Sequence, residues 1–361
     1  MRRRALLHRG WLALAGIDPV VAGATAVDSH GVSPVARGRL LVFPRDHGAH
    51  LAARTEWWYV TGWWGPTSAP THGFQVTFFR SHTGLAADSA SRFAPRHLLF
   101  AHAALTDLRA GTHRHAERIV RWNGDPTAGV AAATLDDAQV HIGDWQLRHA
   151  SGLWQARLAD GSQDLALALT LRQTQPLLLQ GDAGWSRKGP EPAQASHYVS
   201  APQLQVDRPG GGRAWLDHEW SDEILHPEAV GWDWAGINLE DGSALTVFRL
   251  RRADGSTLWA GGSWRPAGGL ARSFAPDEVR LTPGRQWRSA RTGANYPVAW
   301  TLETPAGRHE LQALLDTQEL DARGSTGTVY WEGLSALLDT QGRRIGLGYL
   351  EMTGYAGRLR L

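Results

Sequence analysis

Leu165-Ala166-Leu167-Ala168-Leu169-Thr170-Leu171 is the stretch that decides the fold class of this chain. Its leucines occupy every second position, and smaller side chains stand between them. A period of two places alternate side chains on opposite faces of a β-strand, whereas an amphipathic helix repeats every three to four residues. The stretch is therefore predicted to be a strand with one buried face.

The same alternation recurs on both sides of this stretch. Segment 74–78 alternates apolar and polar residues, and segment 245–248 is apolar on nearly every position, as in a strand buried on both faces. Asp-Gly pairs at 160–161, 241–242 and 254–255 have the residue types of tight hairpin turns. No long helical periodicity interrupts this pattern. The sequence therefore predicts an all-β, antiparallel chain.

The length of 361 residues exceeds what one ordinary core organises and suggests two domains. A run of proline and glycine at 209–212 lies near the middle, so we place the boundary between about 205 and 230. The resulting division has a signal peptide and linker at 1–38, a first domain at 39–212 and a second at 213–361.

Composition limits the classes of partner. The net charge is +2, the chain has no cysteine, and its basic residues are interspersed with acidic ones, which argues against a nucleic-acid-binding stripe and excludes disulfides and thiolate chemistry. The 18 tryptophans are more than core packing usually recruits. We expect several of them to line a cavity for an apolar molecule.

The N-terminus resembles an export signal. Arg3-Arg4 precedes a short apolar stretch at 11–17, and Ala24-Thr25-Ala26 fits a cleavage site. This pattern predicts a periplasmic or secreted protein with a twin-arginine signal. The alternative is a disordered N-terminal extension on a cytoplasmic protein.

A first group of chemically active residues precedes and enters an aromatic strand. On that strand Glu56 and Trp58 share one face, and Trp57 and Tyr59 share the other. A carboxyl among aromatic rings loses hydration, so we expect the pKa of Glu56 to rise and the group to donate a proton near neutral pH. The alternative is an ion pair with an arginine such as Arg54 or Arg80.

The polar residues just before this strand are Asp46, His47 and His50. They could ligate a metal together, but the spacing of two histidines three residues apart implies no third ligand. We therefore predict no metal and keep the three residues as polar candidates.

A second group lies at 215–220, Trp-Leu-Asp-His-Glu-Trp, followed by Trp232-Asp233-Trp234. On a strand Asp217 and Glu219 point one way while His218 and Trp220 point the other. Two carboxyls could share a proton, or a histidine could act beside a tryptophan wall. The alternative is that the acids bind arginines between the domains and the tryptophans are core.

Nucleotide, dinucleotide and serine-nucleophile motifs are missing from the sequence, which predicts no cofactor of those kinds. The chain nevertheless resembles a known family, the AttH/CrtC family, which includes carotenoid 1,2-hydratases and many proteins described as secreted hydrolases. The matching segments run in order from about residue 40 to 356: 43–50, 56–62, 100–103, 195–200, 215–220, 231–234, 248–251, 287–289, 296–300, 330–333 and 348–355.

This resemblance implies two lipocalin-like antiparallel β-barrel domains packed side by side, with a pocket near their interface. It also implies an apolar substrate, such as a polyene, an isoprenoid or a lipid. His218 and Trp220 match the His-x-Trp of the hydratase branch. That branch has an acid on the strand after Trp-Asp-Trp, whereas segment 246–250 here has none. The pattern therefore fits the secreted-hydrolase branch better.

The functional hypothesis is acid-assisted addition of water to an apolar molecule. Glu56 or Asp217 would donate the proton and His218 would position the water. The walls would be aromatic: Trp57, Trp58, Tyr59, Trp220, Trp232 and Trp234; Glu219 and Asp233 are further polar candidates. A non-catalytic carrier and a pericyclase are the alternatives. The expected partner is an apolar small molecule, with peripheral membrane contact as an option and no nucleic acid.

Overall fold

The computed structural model describes residues 35–359, except 86, 87, 90, 92, 128 and 224. The predicted export signal lies outside these residues and stays a prediction. Regular structure in the described part of the chain is β-strand, apart from three short 3-10 turns at Arg45–His47, Gly161–Gln163 and Pro276–Glu278. The all-β, antiparallel prediction is therefore confirmed.

The first sheet is antiparallel and contains thirteen strands. These strands are β1 Thr55–Trp64, β2 His72–His82, β3 His97–Asp107, β4 Thr112–Trp122, β5 Ala131–Ala133, β6 Gln139–Ile142, β7 Trp145–Ala150, β8 Leu153–Asp160, β9 Leu165–Arg172, β10 Leu178–Leu179, β11 Trp185–Arg187, β12 Ala195–Val206 and β13 Gly212–Ser221.

The main strand order is β4-β3-β2-β1-β13-β12-β9-β8-β7-β6-β5, and the two end strands approach each other, so the sheet forms a nearly closed barrel. Inside it, the leucines of β9 are buried while the residues between them face outward or are only partly covered. Trp58, Trp145 and Trp154 fill the same interior. The alternation that decided the fold class thus marks the wall of a barrel.

The second large sheet contains ten strands, and a small hairpin accompanies it. These strands are β14 Gly231–Leu239, β15 Ala244–Arg251, β16 Thr257–Arg265, β17 Arg272–Phe274, β18 Arg280–Pro283, β19 Gln286–Arg288, β20 Asn295–Pro297, β21 Ala299–Thr304, β22 Gly307–Ala313, β23 Glu319–Ala322, β24 Thr328–Leu338 and β25 Arg344–Met352. The hairpin is β19–β20, and the central order is β15-β14-β25-β24.

The passage from the first sheet to the second lies later than the division at 212/213. Strand β13 follows that division, yet it pairs with β1 and β12 in the first sheet. The second sheet begins only at Gly231, so residues 222–230 connect the two sheets. This connection lies within the interval of about 205–230, but the proline-glycine run at 209–212 is a hairpin turn between β12 and β13.

The two sheets pack face to face through a third apolar cluster. Trp63 and Trp215 from the first sheet pack with Trp234, Phe248 and Tyr349 from the second. Large aromatic side chains bury much apolar surface for few residues, which suits a contact between two broad sheets. Within the described residues no helix has the length and apolar character that crossing a bilayer requires.

Candidate functional site

The paired strands β1 and β13 divide the predicted site residues between two faces. Their register places Trp57 opposite Glu219 and Tyr59 opposite Asp217, and these residues face the second sheet. The alternate residues face the inside of the first barrel; they are Glu56, Trp58, His218 and Trp220. The facing predicted from period two is confirmed, and it separates Asp217 from Glu56 and His218.

On the inner face, the carboxylate of Glu56 is buried and fully engaged. Arg80 donates from Nε to Oε2 at 2.8 Å, while His50 Nδ1 and His218 Nε2 lie 2.8 and 3.0 Å from Oε1. Burial alone would raise the pKa of Glu56, but the Arg80 charge and the two histidine contacts hold it well below its usual value. The expected rise is therefore wrong, and the alternative pairing with Arg80 is confirmed.

The segment before β1 covers this end of the first barrel. His50 Nε2 lies 3.2 Å from Asp46 Oδ1, and the backbone carbonyl of His47 accepts a hydrogen bond from Trp58 at 2.8 Å. Burial lowers the pKa of His47 to about 3, so its ring is neutral at physiological pH. Asp46, His47 and His50 therefore extend the inner cluster and do not line the space between the sheets.

Three inner groups have side-chain atoms close enough to hold an ion: the nearest ligand atoms of His50, Glu56 and His218 lie within 4.8 Å of one another. Both histidine nitrogens already contact Oε1 of Glu56, and the Arg80 guanidinium occupies Oε2. A second cation would meet that guanidinium at short range. The prediction of no metal is kept on this ground.

A cavity of about 320 Å³ lies between the two sheets. Its apolar wall combines side chains of both sheets: Trp57, Tyr59, Phe79, Leu98, Phe100, Trp232, Trp234, Phe248 and Leu250. Trp58 and Trp220, predicted as walls, lie in the first barrel instead because they alternate with cavity residues along their strands. Three tryptophans of the described part of the chain therefore line the cavity.

Asp217 is one of the two carboxyls of β13 that line this cavity. It is 3% exposed and accepts hydrogen bonds from Tyr198, Ser200 and Trp215 at 2.6, 2.5 and 2.7 Å. Burial raises the pKa of Asp217 to about 7, although these three hydrogen bonds oppose the rise. Among the described residues no cation lies within ion-pair distance of it, so a neutral, proton-bearing form is accessible near physiological pH.

Glu332 and Glu351 bring two further carboxyls to the cavity from the second sheet. They stand directly opposite each other on β24 and β25. Burial and the neighbouring Glu351 raise the pKa of Glu332 well above its usual value, and burial with the nearby acids raises that of Glu351. Each carboxyl disfavours ionisation of the other, so the pair keeps its protons near physiological pH.

Glu219 also faces the cavity, where it forms an ion pair with Lys188. The Lys188 Nζ lies 2.9 Å from Glu219 Oε1, which also accepts a hydrogen bond from Ser196. Both charged side chains are buried. This pair follows neither prediction for Glu219, since its partner is a lysine rather than an arginine or a second acid.

Trp232 and Trp234 line the cavity, but the residue between them faces away. Trp234 Nε1 donates to the Tyr198 hydroxyl at 2.9 Å. Asp233 instead accepts from Arg249 at 2.7 Å and from the Tyr355 hydroxyl at 2.9 Å, inside the second sheet's own packing. Asp233 is thus the one member of this tripeptide outside the cavity.

The sequence analysis missed Lys188, Tyr198, Glu332 and Glu351 as cavity residues. A signal was present for Glu332 and Glu351, because each is the only acid in a strand that is mostly apolar or aromatic. Their pairing could not be predicted, since it depends on the register between β24 and β25. Lys188 lies in the segment between β11 and β12, where the sequence gives no periodicity.

The chain is similar in sequence and in fold to known proteins. The family model for AttH-like proteins matches residues 34–355. A crystal structure of a candidate AttH from Nitrosomonas europaea is 43% identical, covers 90% of this chain and 100% of its own, and superposes with a TM-score of 0.79. No curated protein matches the chain in sequence.

A more distant structure shares the fold alone. Kievitone hydratase from Nectria haematococca is 13% identical, covers 88% of this chain and 94% of its own, and has a TM-score of 0.64.

Proposed function

The chain belongs to the AttH-like family, and from this premise we propose that the cavity between its two sheets adds water to an apolar substrate, with a buried carboxyl as the proton donor. The observation that carries this proposal is the combination of an aromatic wall with three carboxyls, Asp217, Glu332 and Glu351, that form no ion pair with an arginine or lysine of the described residues. Asp217 is the best placed of them, because it lies within the cavity wall between Tyr59 and Tyr198.

The chemistry balances with the groups present. Asp217 transfers its proton to one carbon of a double bond, which leaves a carbocation on the other carbon. The faces of Trp57, Trp232 and Trp234 are negative and stabilise such a charge. Water then adds to the cation, and its surplus proton passes to the Asp217 carboxylate, which regenerates the acid. The Glu332–Glu351 pair accepts a hydrogen bond from this water and orients it, so the net reaction is addition of water.

The assignment of roles differs from that predicted from the sequence. The carboxylate of Glu56 is bound to Arg80 and to His218. Glu56 borders the cavity, but its pKa is lowered, so it has no proton to donate there, and His218 does not line the cavity. Asp217 keeps the role of acid, and the task of directing water moves from His218 to the Glu332–Glu351 pair.

A carrier of the same ligand is the competing function. It requires the apolar cavity without ionisable groups inside it. Asp217, Glu219 and Glu332 are each at most 5% exposed and line the cavity. Burial of carboxyls destabilises the folded protein, and binding of an apolar ligand does not require them. Their presence in the cavity therefore favours the catalytic proposal.

The first experiment is native mass spectrometry and lipid extraction of the full chain purified from its own host. A bound polyene or isoprenoid gives the substrate class. The recovered compound, or farnesene as a probe, is then incubated with the protein in H₂¹⁸O. The expected product carries one ¹⁸O-labelled hydroxyl, and D217N and E332Q form it at least about 100-fold more slowly.

The matched control is E319Q. Glu319 is also a buried carboxyl that accepts from a tyrosine and a serine, Tyr296 and Ser289, but it lies outside the cavity. This variant should hydrate at the wild-type rate. A ligand that binds tightly and returns unlabelled from all four proteins would indicate a carrier and overturn the proposal.

A further inference from the structure

Lys188 differs from every other cation of the chain. It is the only lysine among 37 basic residues, so arginine supplies all the others. Arginine also forms the buried pairs elsewhere, such as Arg80 with Glu56 and Arg249 with Asp233. Arginine keeps its proton in proteins, whereas a lysine can lose one and become a nucleophile. The only lysine of the chain therefore lies at the cavity.

The surroundings of Lys188 form an enclosed cage that joins the two sheets. Its Nζ lies 4.3 Å from the ring centroids of both Tyr198 and Phe248, and 2.9 Å from Glu219. Tyr198 belongs to the first sheet and Phe248 to the second. Gly261 leaves the room for Phe248, since a Cβ there would lie 2.7 Å from the ring.

The charges around this cage select the chemistry of its ligand. Glu219 already balances the ammonium of Lys188, and Asp217, Glu332 and Glu351 line the same cavity. A carboxylate or phosphate on the ligand would lose its hydration without meeting an unpaired cation, since Lys188 is bound to Glu219 and Arg80 to Glu56. A neutral carbonyl group on an apolar chain meets no such penalty, and its oxygen can accept a hydrogen bond from the ammonium.

We propose that Lys188 captures an apolar aldehyde or ketone as an imine, with Glu219 as its counter-ion. The ammonium gives a proton to Glu219, and the neutral amine adds to the carbonyl carbon to form a carbinolamine. The carbinolamine hydroxyl takes the proton back from Glu219 and leaves as water. The product is a protonated imine beside the Glu219 carboxylate, so a carbonyl and an ammonium yield an iminium and one water. This capture does not depend on the hydration proposed above.

The test uses geranial, an apolar unsaturated aldehyde, with the full-length protein and cyanoborohydride to reduce any imine. Intact mass and peptide mapping are expected to show one reduced adduct on Lys188. A single lysine makes the mapping unambiguous, because the only other primary amine is at the N-terminus. Geraniol, which has no carbonyl, should compete for the cavity but form no adduct.

Three variants separate capture in the cavity from ordinary amine reactivity. K188R keeps the charge and should give no internal adduct. K188R/R280K adds a lysine at a side chain that is 79% exposed, which should react on the order of tenfold or more slowly than Lys188. E219Q keeps the lysine, removes the proton acceptor, and should slow capture.

Labelling confined to the N-terminus of the wild-type protein would overturn the proposal, and so would equal rates at Lys188 and at residue 280. Because the decisive mapping is made on the wild-type chain, a variant that fails to fold does not decide the outcome. The two proposals can fail separately. An adduct on Lys188, together with no ¹⁸O-labelled hydroxyl in the farnesene incubation, would remove the hydration proposal and leave this one standing.

Discussion

The two faces of the β1–β13 pair carry buried carboxyls with opposite ionisation. On the inner face Glu56 touches the Arg80 guanidinium at 2.8 Å, and its pKa lies well below the usual value. On the cavity face Asp217 receives three hydrogen bonds from neutral donors, and its pKa is about 7. Both groups are buried, so burial raises both pKa values; the presence of a cation within hydrogen-bonding distance decides which carboxyl stays charged.

Removing that cation should have the largest effect on stability. Arg80→Met leaves the Glu56 carboxyl buried without its ion pair. The free energy of unfolding at pH 7 should fall by about 3–5 kcal/mol, as measured by urea denaturation. The double variant R80M/E56Q has no orphaned charge and should recover part of the loss. A loss below about 1 kcal/mol for R80M alone would show that the contrast between the faces does not depend on Arg80.

The second effect is a pH dependence of opposite sign on the two faces. Asp217 binds its proton up to about pH 7 in the folded chain but only up to about its ordinary value of 3.8 when unfolded. Its contribution is therefore complete below about pH 4 and is lost as the pH rises to 7 and above, by roughly 4 kcal/mol in total. Urea denaturation of D217N between pH 4 and 8 should lack this decline.

The control for the sign is E56Q. The pKa of Glu56 is lowered on folding, so its stabilisation is present above about its ordinary value of 4.5 and is lost as the pH falls. E56Q should flatten the acid side of the stability profile and leave the decline toward neutral pH unchanged. If D217N and E56Q change the stability on the same side of the pH profile, the two faces do not differ in ionisation.

A smaller effect is expected within the cavity wall from Tyr198→Phe. The Tyr198 hydroxyl donates to Asp217 at 2.6 Å and accepts from Trp234 at 2.9 Å. The variant leaves the indole N–H and one carboxyl oxygen without these contacts, which should cost about 1–3 kcal/mol in thermal or urea denaturation. The pKa of Asp217 should also rise further, since a hydrogen bond that lowers it is lost.

The smallest effect should come from Tyr59→Phe at the opposite side of the cavity. The Tyr59 hydroxyl is buried, and its contact with the Glu332 carboxyl lacks the geometry of a hydrogen bond. Its removal should change the free energy of unfolding by less than about 0.5 kcal/mol, in either direction. A loss of unfolding free energy as large as that of Y198F would mean that the Tyr59 hydroxyl forms a hydrogen bond within the folded protein and is not free to bind a ligand.

The contrast between the two faces was partly predictable from the sequence. Period two placed Glu56 and Asp217 on opposite faces, because alternation along a strand needs no information beyond the strand itself. The choice of Arg80 as partner was open, since it depends on β2 lying beside β1 in a particular register. Glu332 and Glu351 meet for the same kind of reason. The place of Lys188 in the cavity could not be predicted, because a connecting segment has no periodic pattern.

The cavity draws its wall from both sheets, and neither half of the chain contains it alone. A small rotation of one sheet against the other changes the shape of the space without breaking a hydrogen bond in either ladder. Substitutions at the contact between the sheets therefore offer evolution a route to new ligands that leaves both frameworks intact. Under such selection the two halves must be inherited together, while ligand preference can diverge faster than the fold.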